Sequence, residues 1–283
     1  SRHAVLALNM RGGGGLEIWQ YTSRTPQPAD FQPLVGDLGI YIMKIKSADV
    51  PATHQFLVQK GAEVLGEITR NPAGQPHFYL NDPYGNLIEI VEGNSWFTQS
   101  ERSMGGVFGC TIGVSNVDRS LPFYKKILGF DEVLFDETAI FDDLGCLPGG
   151  DEPVRRVLLR NSKPHQGAFS KLLGDNQLEL VEVKNRNPRK IFQDRFWGDL
   201  GYIHLCFDIT GMEAMKQICE QNGHPFTVDS DNSFDMGEAA GRFSYVEDPD
   251  GTLIEFVETH KLPILKKIGW YLDLRKREPG KPL

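Results

Sequence analysis

Apolar strand-like runs cover residues 39–46 and 202–210, and in the second Leu205, Phe207 and Ile209 alternate with His204 and Cys206 as on a strand with one packed face. Each run is followed by apolar residues at helical spacing. The first helix is expected to carry Val50, His54, Leu57 and Val58 after Pro51 and to stop at Gly61; the second carries Met212, Met215, Ile218 and Cys219 and stops at Gly223. A short strand and then a hairpin come next, over 77–92 and 243–258. Both hairpins turn on Asp-Pro-x-Gly, in which Pro presets φ and Gly tolerates positive φ.

These two stretches are copies. Tyr79 and Tyr245, Asp82 and Asp248, Gly85 and Gly251, Glu89 and Glu255 are each separated by the same 166 residues, a fixed internal period. A third unit keeps the order strand, helix, three strands. It has a strand over 108–114, a helix capped by Asp118 with Leu121, Tyr124 and Leu128 on one face, a stop at Gly129, and strands near 131–135, 154–159 and 177–183. A long Gly/Pro-rich loop is expected over about 142–152. Residues 4–9 and 15–21 read as the last two strands of a further unit, with Gly12 to Gly15 as a flexible turn; no helix follows them, which argues against a phosphate loop.

The chain is therefore expected to be α+β, built from βαβββ modules in two pairs. The N-terminal pair spans 1–100, with a truncated first module and a second over about 36–94. The C-terminal pair spans 105–260, as about 105–185 and 200–260, and an amphipathic helix closes the chain over 261–283. Completing the first module would take roughly 50 further residues.

The 283 residues are 40% hydrophobic and 24% charged, the balance of a soluble globular protein. No apolar run reaches the roughly 18 residues of a membrane span, and the first residues have no signal-peptide pattern. The formal charge of −8 disfavours nucleic acid and anionic membrane as partners and leaves a small molecule, with a homo-oligomer compatible. Cys110, Cys146, Cys206 and Cys219 are too sparse for a disulfide framework or a zinc ribbon, so a reducing cytoplasm is the expected setting.

The βαβββ units with Tyr-x-x-Asp-Pro-x-Gly-x-x-x-Glu, together with the strand-to-helix segment from Val114 to Tyr124, resemble the vicinal oxygen chelate superfamily of glyoxalases, extradiol dioxygenases and bleomycin resistance proteins. The resemblance implies cup-shaped mixed sheets. It also implies a divalent metal (Fe, Mn, Ni or Zn) held by side chains of the first and fourth strands of each module. The fourth-strand position carries Glu17, Glu89, Glu179 and Glu255, and the first-strand position carries Ile40, Gly109 and His204.

Strand alternation turns His204 and Glu255 away from the helix-packing face, and a carboxylate among apolar residues is costly unless paired or metal-bound. His204, Glu255 and Glu179 are the expected metal ligands of the C-terminal pair. Gly109 stands where dioxygenases place a second His, and Glu17 with Glu89 in the N-terminal pair is expected to be metal-free. Tyr245, ten residues before Glu255, matches the tyrosine that contacts a bound diolate in the extradiol signature, and Glu238 is the candidate proton carrier where that signature has a His. The other histidines, His77 among them, are expected at the surface or in loops.

The function so implied is a metal-dependent lyase, isomerase or ring-cleaving dioxygenase that chelates a small oxygenated substrate. The alternative is a metal-free small-molecule binding protein of the bleomycin-resistance type.

Overall fold

The computed structural model describes residues 2–231, 234–235, 240–265 and 270–276. The first hairpin is β1 (Arg2–Ala7) with β2 (Leu16–Tyr21). The second module is β3 (Gly39–Ser47), α1 (Val50–Gln59), β4 (Glu63–Arg70), β5 (Pro76–Asn81) and β6 (Leu87–Glu92). The third is β7 (Met104–Gly113), α2 (Val117–Lys126), β8 (Glu132–Ala139), β9 (Val154–Arg160) and β10 (Gln177–Val183), with the short α3 (Ser170–Leu173) before β10. The fourth is β11 (His204–Asp208), α4 (Met212–Gln221), β12 (Val228–Asp229), β13 (Phe234–Asp235), β14 (Ala240–Glu247) and β15 (Leu253–Leu265), to which β16 (Trp270–Asp273) is added.

The helices begin where local chemistry caps them. Asp49 accepts from the Ala52 amide at the head of α1, with Pro51 in its first turn. At α2 the cap is Asn116, two residues before the expected Asp118; its side chain accepts from the Arg119 amide at 2.9 Å, while Asp118 lies in the first turn and pairs with Arg155.

The modules pair differently from the expected halves. β3 and β7 run antiparallel edge to edge, joining the second and third modules into one curled eight-stranded sheet in the order β4-β5-β6-β3-β7-β10-β9-β8. The fourth module has its own sheet, β11-β15-β14-β12, and the β1–β2 hairpin approaches it through Glu17 and His204. The division into 1–100 and 105–260 thus cuts across the larger sheet.

Two glycines of β7 permit close backbone approaches, Gly113 to the segment ahead of β3 and Gly109 to β10 of the same module. A Cβ on Gly113 would lie 1.8 Å from the Asp37 carbonyl oxygen, and one on Gly109, where φ is +143°, would lie 1.7 Å from that of Gln177. Gly109 is therefore required by the backbone, and a metal-ligating side chain is sterically excluded there.

Helices α2 and α4 are packed between the outer faces of the third and fourth modules. Phe123 and Tyr124 of α2 and Met212 and Cys219 of α4 join Ile112, Leu180, Val246, Ile254 and Phe256 in one buried cluster. Each large apolar side chain buried there is worth about 1.5–3 kcal/mol relative to exposure. The Asp-Pro-Asp-Gly turn is tied into this interface: the Tyr124 hydroxyl donates to Asp248 at 2.8 Å, and Asp250 accepts from the Ser115 amide and hydroxyl.

Within the described residues 261–265 and 270–273, two paired strands stand in place of the expected amphipathic helix. β15 continues to Leu265 and pairs with β16, with Leu262 opposite Leu272 and Pro263 opposite Tyr271. β16 pairs antiparallel with the continuation of β15, so this stretch meets its backbone donors and acceptors across strands instead of along a helix. No described helix is long and apolar enough to cross a membrane.

Candidate metal centre

Three strands bring one imidazole and two carboxylates together. On β11, His204 lies beside Leu253 of the parallel β15, and one pleat further along Cys206 lies beside Glu255. Ile254 and Phe256 face the helix-lined cluster, so alternation sends Glu255 to the opposite, concave side. Nε2 of His204 lies 3.0 Å from Glu255 Oε2 and 3.8 Å from Glu17 Oε2 of β2.

All three ligand atoms lie within 4.8 Å of one another. Two carboxylates at such a separation repel by about 3 kcal/mol at an effective dielectric of 20, and a divalent cation between them would reverse that sign. One imidazole with two carboxylates is a donor set that suits borderline and hard divalent ions and leaves coordination positions open. The residues present therefore fit the metal.

The neighbours of these ligands shape the concave surface. Tyr245 sits opposite Glu255 across the β14–β15 ladder, and Cys206 lies beside Glu255 across the β11–β15 ladder. Burial first, and then the charge of Glu255, push both groups well above their ordinary pKa, so phenol and thiol keep their protons. Trp197, from the connection between β10 and β11, stacks on His204 and meets Tyr245 edge-on, with ring centroids 5.4 and 5.5 Å apart. The spacing of ligands in sequence could not have found Trp197; its nearness depends on the path of that connection.

Glu179 is not in this centre. It lies in the eight-stranded cup, where Lys44 Nζ donates to it at 2.7 Å and Arg156 Nε at 2.6 Å. The expected ligand set had assumed that the third and fourth modules face each other across a cup, whereas they meet through their helices. Glu17, expected to be part of a metal-free pair with Glu89, takes the place assigned to Glu179. Glu238 lies outside the described residues.

The first-strand position also shifts. Ile42 pairs with Leu87 as His204 pairs with Leu253, so Ile42, and not Ile40, is the equivalent of His204 in the second module. His77, expected at the surface or in a loop, is fully buried on β5, 2.9 Å from Glu89 Oε1 and 3.4 Å from Asp143 Oδ2. Asp143 comes from the 142–152 loop, whose first turn is a 3-10 helix, and accepts from Arg156 Nη1 on both oxygens at 2.8 Å.

Comparison with known proteins agrees with this architecture. Glyoxalase I of Zea mays superposes with a TM-score of 0.55 at 14% identity, over 87% of this chain and 74% of that one. A putative dioxygenase from Bacillus subtilis superposes with a TM-score of 0.57 at 14% identity, over 91% of this chain and 72% of that one. A comparison with curated proteins finds no match. The sequence matches one family over residues 7–90 and 107–256, and the chain belongs to that family, the Glyoxalase/Bleomycin resistance protein/Dioxygenase superfamily.

Proposed function

We propose that the cup between the β1–β2 hairpin and the fourth module binds one divalent cation through Glu17, His204 and Glu255, and through it a small substrate bearing adjacent oxygen atoms. The observation that carries this reading is the meeting of three ligand atoms from three strands within 4.8 Å. When bound, an ion of the Fe, Mn, Ni or Zn class supplies Lewis acidity that stabilises an enolate or a chelated diolate, the chemistry of a lyase, an isomerase or a ring-cleaving dioxygenase.

The chain's own groups have separate tasks. Tyr245, opposite Glu255 on the neighbouring strand, stays protonated and offers a donor to a substrate oxygen beside it. Trp197 and Tyr245 wall the imidazole of His204 and keep water from that side of the ligand set.

Metal content of protein purified without a metal-affinity column, and again after anaerobic reconstitution, tests this. About one ion per chain is expected in the parent and in Glu89→Gln, with none in His204→Ala. Equal content in parent and His204→Ala, or none in any of them after reconstitution, would overturn the assignment and leave the metal-free binding protein as the reading.

A further inference from the structure

Glu17 reaches the candidate metal centre on an element that has little to hold it. β1 and β2 form a sheet of two strands, and an isolated two-stranded hairpin is marginal in water. Val5, Leu6 and Ile18 are each more than half exposed, so burial of these side chains adds little.

The hairpin is fastened at its two ends instead. At the turn, the Gly13 amide donates to the Leu172 carbonyl at 2.8 Å and the Gly14 amide to that of Val107 at 2.7 Å, which ties the turn to α3 and β7. At the other end, the chain leaving β2 is caught by Asp199, from the connection between β10 and β11. Asp199 Oδ1 accepts from Arg24 Nη1 at 2.6 Å and from the Gln27 amide at 2.9 Å, and Oδ2 accepts from the Phe196 amide at 2.9 Å. The Asp199 side chain is 3% exposed. Beside it the Leu200 amide and Arg195 Nη2 both donate to the Gln27 carbonyl. The Tyr21 ring covers Gly198, where a Cβ would lie 2.1 Å from Tyr21 Cδ2.

This clasp joins the two sides of the centre. Tyr21 and Glu17 lie four residues apart on one face of β2, and Trp197, two residues before Asp199, stacks on His204. The strand that carries Glu17 is thereby bound to the segment that walls His204.

We propose that Asp199 is a positioning residue that holds Glu17 against His204. The inference rests on the reading of that centre as a divalent-metal site. Apparent affinity falls with the fraction of molecules that have every ligand in place, and hydrogen bonds between charged groups are among the stronger ones, so loss of Asp199 weakens metal binding about tenfold or more.

Calorimetric titration with Mn(II) and Zn(II), and hydrogen exchange of the metal-free protein, compare the parent with Asp199→Ala, Arg24→Gln and Asp37→Ala. Asp37 is a matched control, because it makes a similar clasp away from the hairpin, accepting from Arg186 Nη1 and from the Leu34 and Arg189 amides. Asp199→Ala should weaken metal binding about tenfold or more and speed exchange of the amides over 16–21 by a similar factor. Arg24→Gln should do both to a lesser degree, and Asp37→Ala should do neither. In a Glu17→Gln background Asp199→Ala should lower affinity by less than about twofold, because the ligand it positions is already gone.

Unchanged exchange over 16–21 in folded Asp199→Ala would overturn the proposal, and Arg24→Gln decides in its place if Asp199→Ala does not fold. An equal effect from Asp37→Ala, or a loss of affinity that persists in full in Glu17→Gln, would overturn it too. A parent that takes no metal after reconstitution would sink the proposed function and not the clasp, which the exchange rates of the metal-free proteins then decide alone.

Discussion

The indole of Trp197 lies nearly parallel to the imidazole of His204, with ring centroids 5.4 Å apart and planes inclined by 27°. A donor ring so close to a ligand reports on what the ligand holds. Paramagnetic Co(II) or Mn(II) bound at His204 should quench a large part of the emission of Trp197, and Zn(II) should quench little. Trp197→Phe should shrink that difference while retaining the metal, leaving the part owed to Trp19 beside Glu17 on β2. Identical quenching in parent and Trp197→Phe would place the ion away from His204.

The separation of Glu17 from Glu179 gives a second expectation. Glu17→Gln should lower metal affinity about tenfold or more with a small change in stability, because Glu17 is exposed and, among the described residues, is paired with no cation besides His204. Glu179→Ala should leave affinity near that of the parent and destabilise by about 3–5 kcal/mol, the cost of leaving Lys44 and Arg156 buried beside a missing partner. Calorimetric titration and urea unfolding of both variants separate the two effects; loss of metal in Glu179→Ala without loss of stability would reverse the assignment.

Local signals carried most of the architecture. The 166-residue period, the Asp-Pro-x-Gly turns and the glycine stops are written in short stretches of chain, so the strand and helix order of each module was legible. His204 and Glu255 were legible together because alternation along β11 and β15 fixes their face. Which module pairs with which was not, since that depends on the antiparallel meeting of β3 with β7, a contact with no local signature. The same gap put Glu179 in place of Glu17. Lys44 was hidden by its surroundings: a lysine within Ile-Met-Lys-Ile-Lys reads as a strand's polar interruption until the register sets it beside Glu89.

Gly109 has a cost that can be measured. Its positive φ and the 1.7 Å approach of a hypothetical Cβ to the Gln177 carbonyl oxygen leave no room for a side chain against backbone. Gly109→Ala should destabilise by about 2 kcal/mol or more through strain and overpacking, and Gly109→His should destabilise further without adding metal. A Gly109→His protein as stable as the parent, with raised metal content, would show that the β7–β10 joint yields to a ligand. Thermal unfolding and metal analysis on the same preparations decide between these results.

His77 should make stability fall with rising pH. Burial disfavours its charged form, but the carboxylates of Glu89 and Asp143, 2.9 and 3.4 Å from its ring nitrogens, outweigh that and carry the imidazole from an ordinary 6.5 to about 9. A folded pKa above the unfolded one means that the contribution is complete below about pH 6.5 and is lost as pH rises through 9. A shift of this size corresponds to stability on the order of 3 kcal/mol. Urea unfolding at pH 6, 7.5 and 9 should show that decline in the parent, and His77→Gln should flatten it while lowering stability at pH 6, where the parent's imidazolium is fully paired. A parent whose stability holds constant from pH 6 to 9 would mean that His77 is neutral in the folded protein.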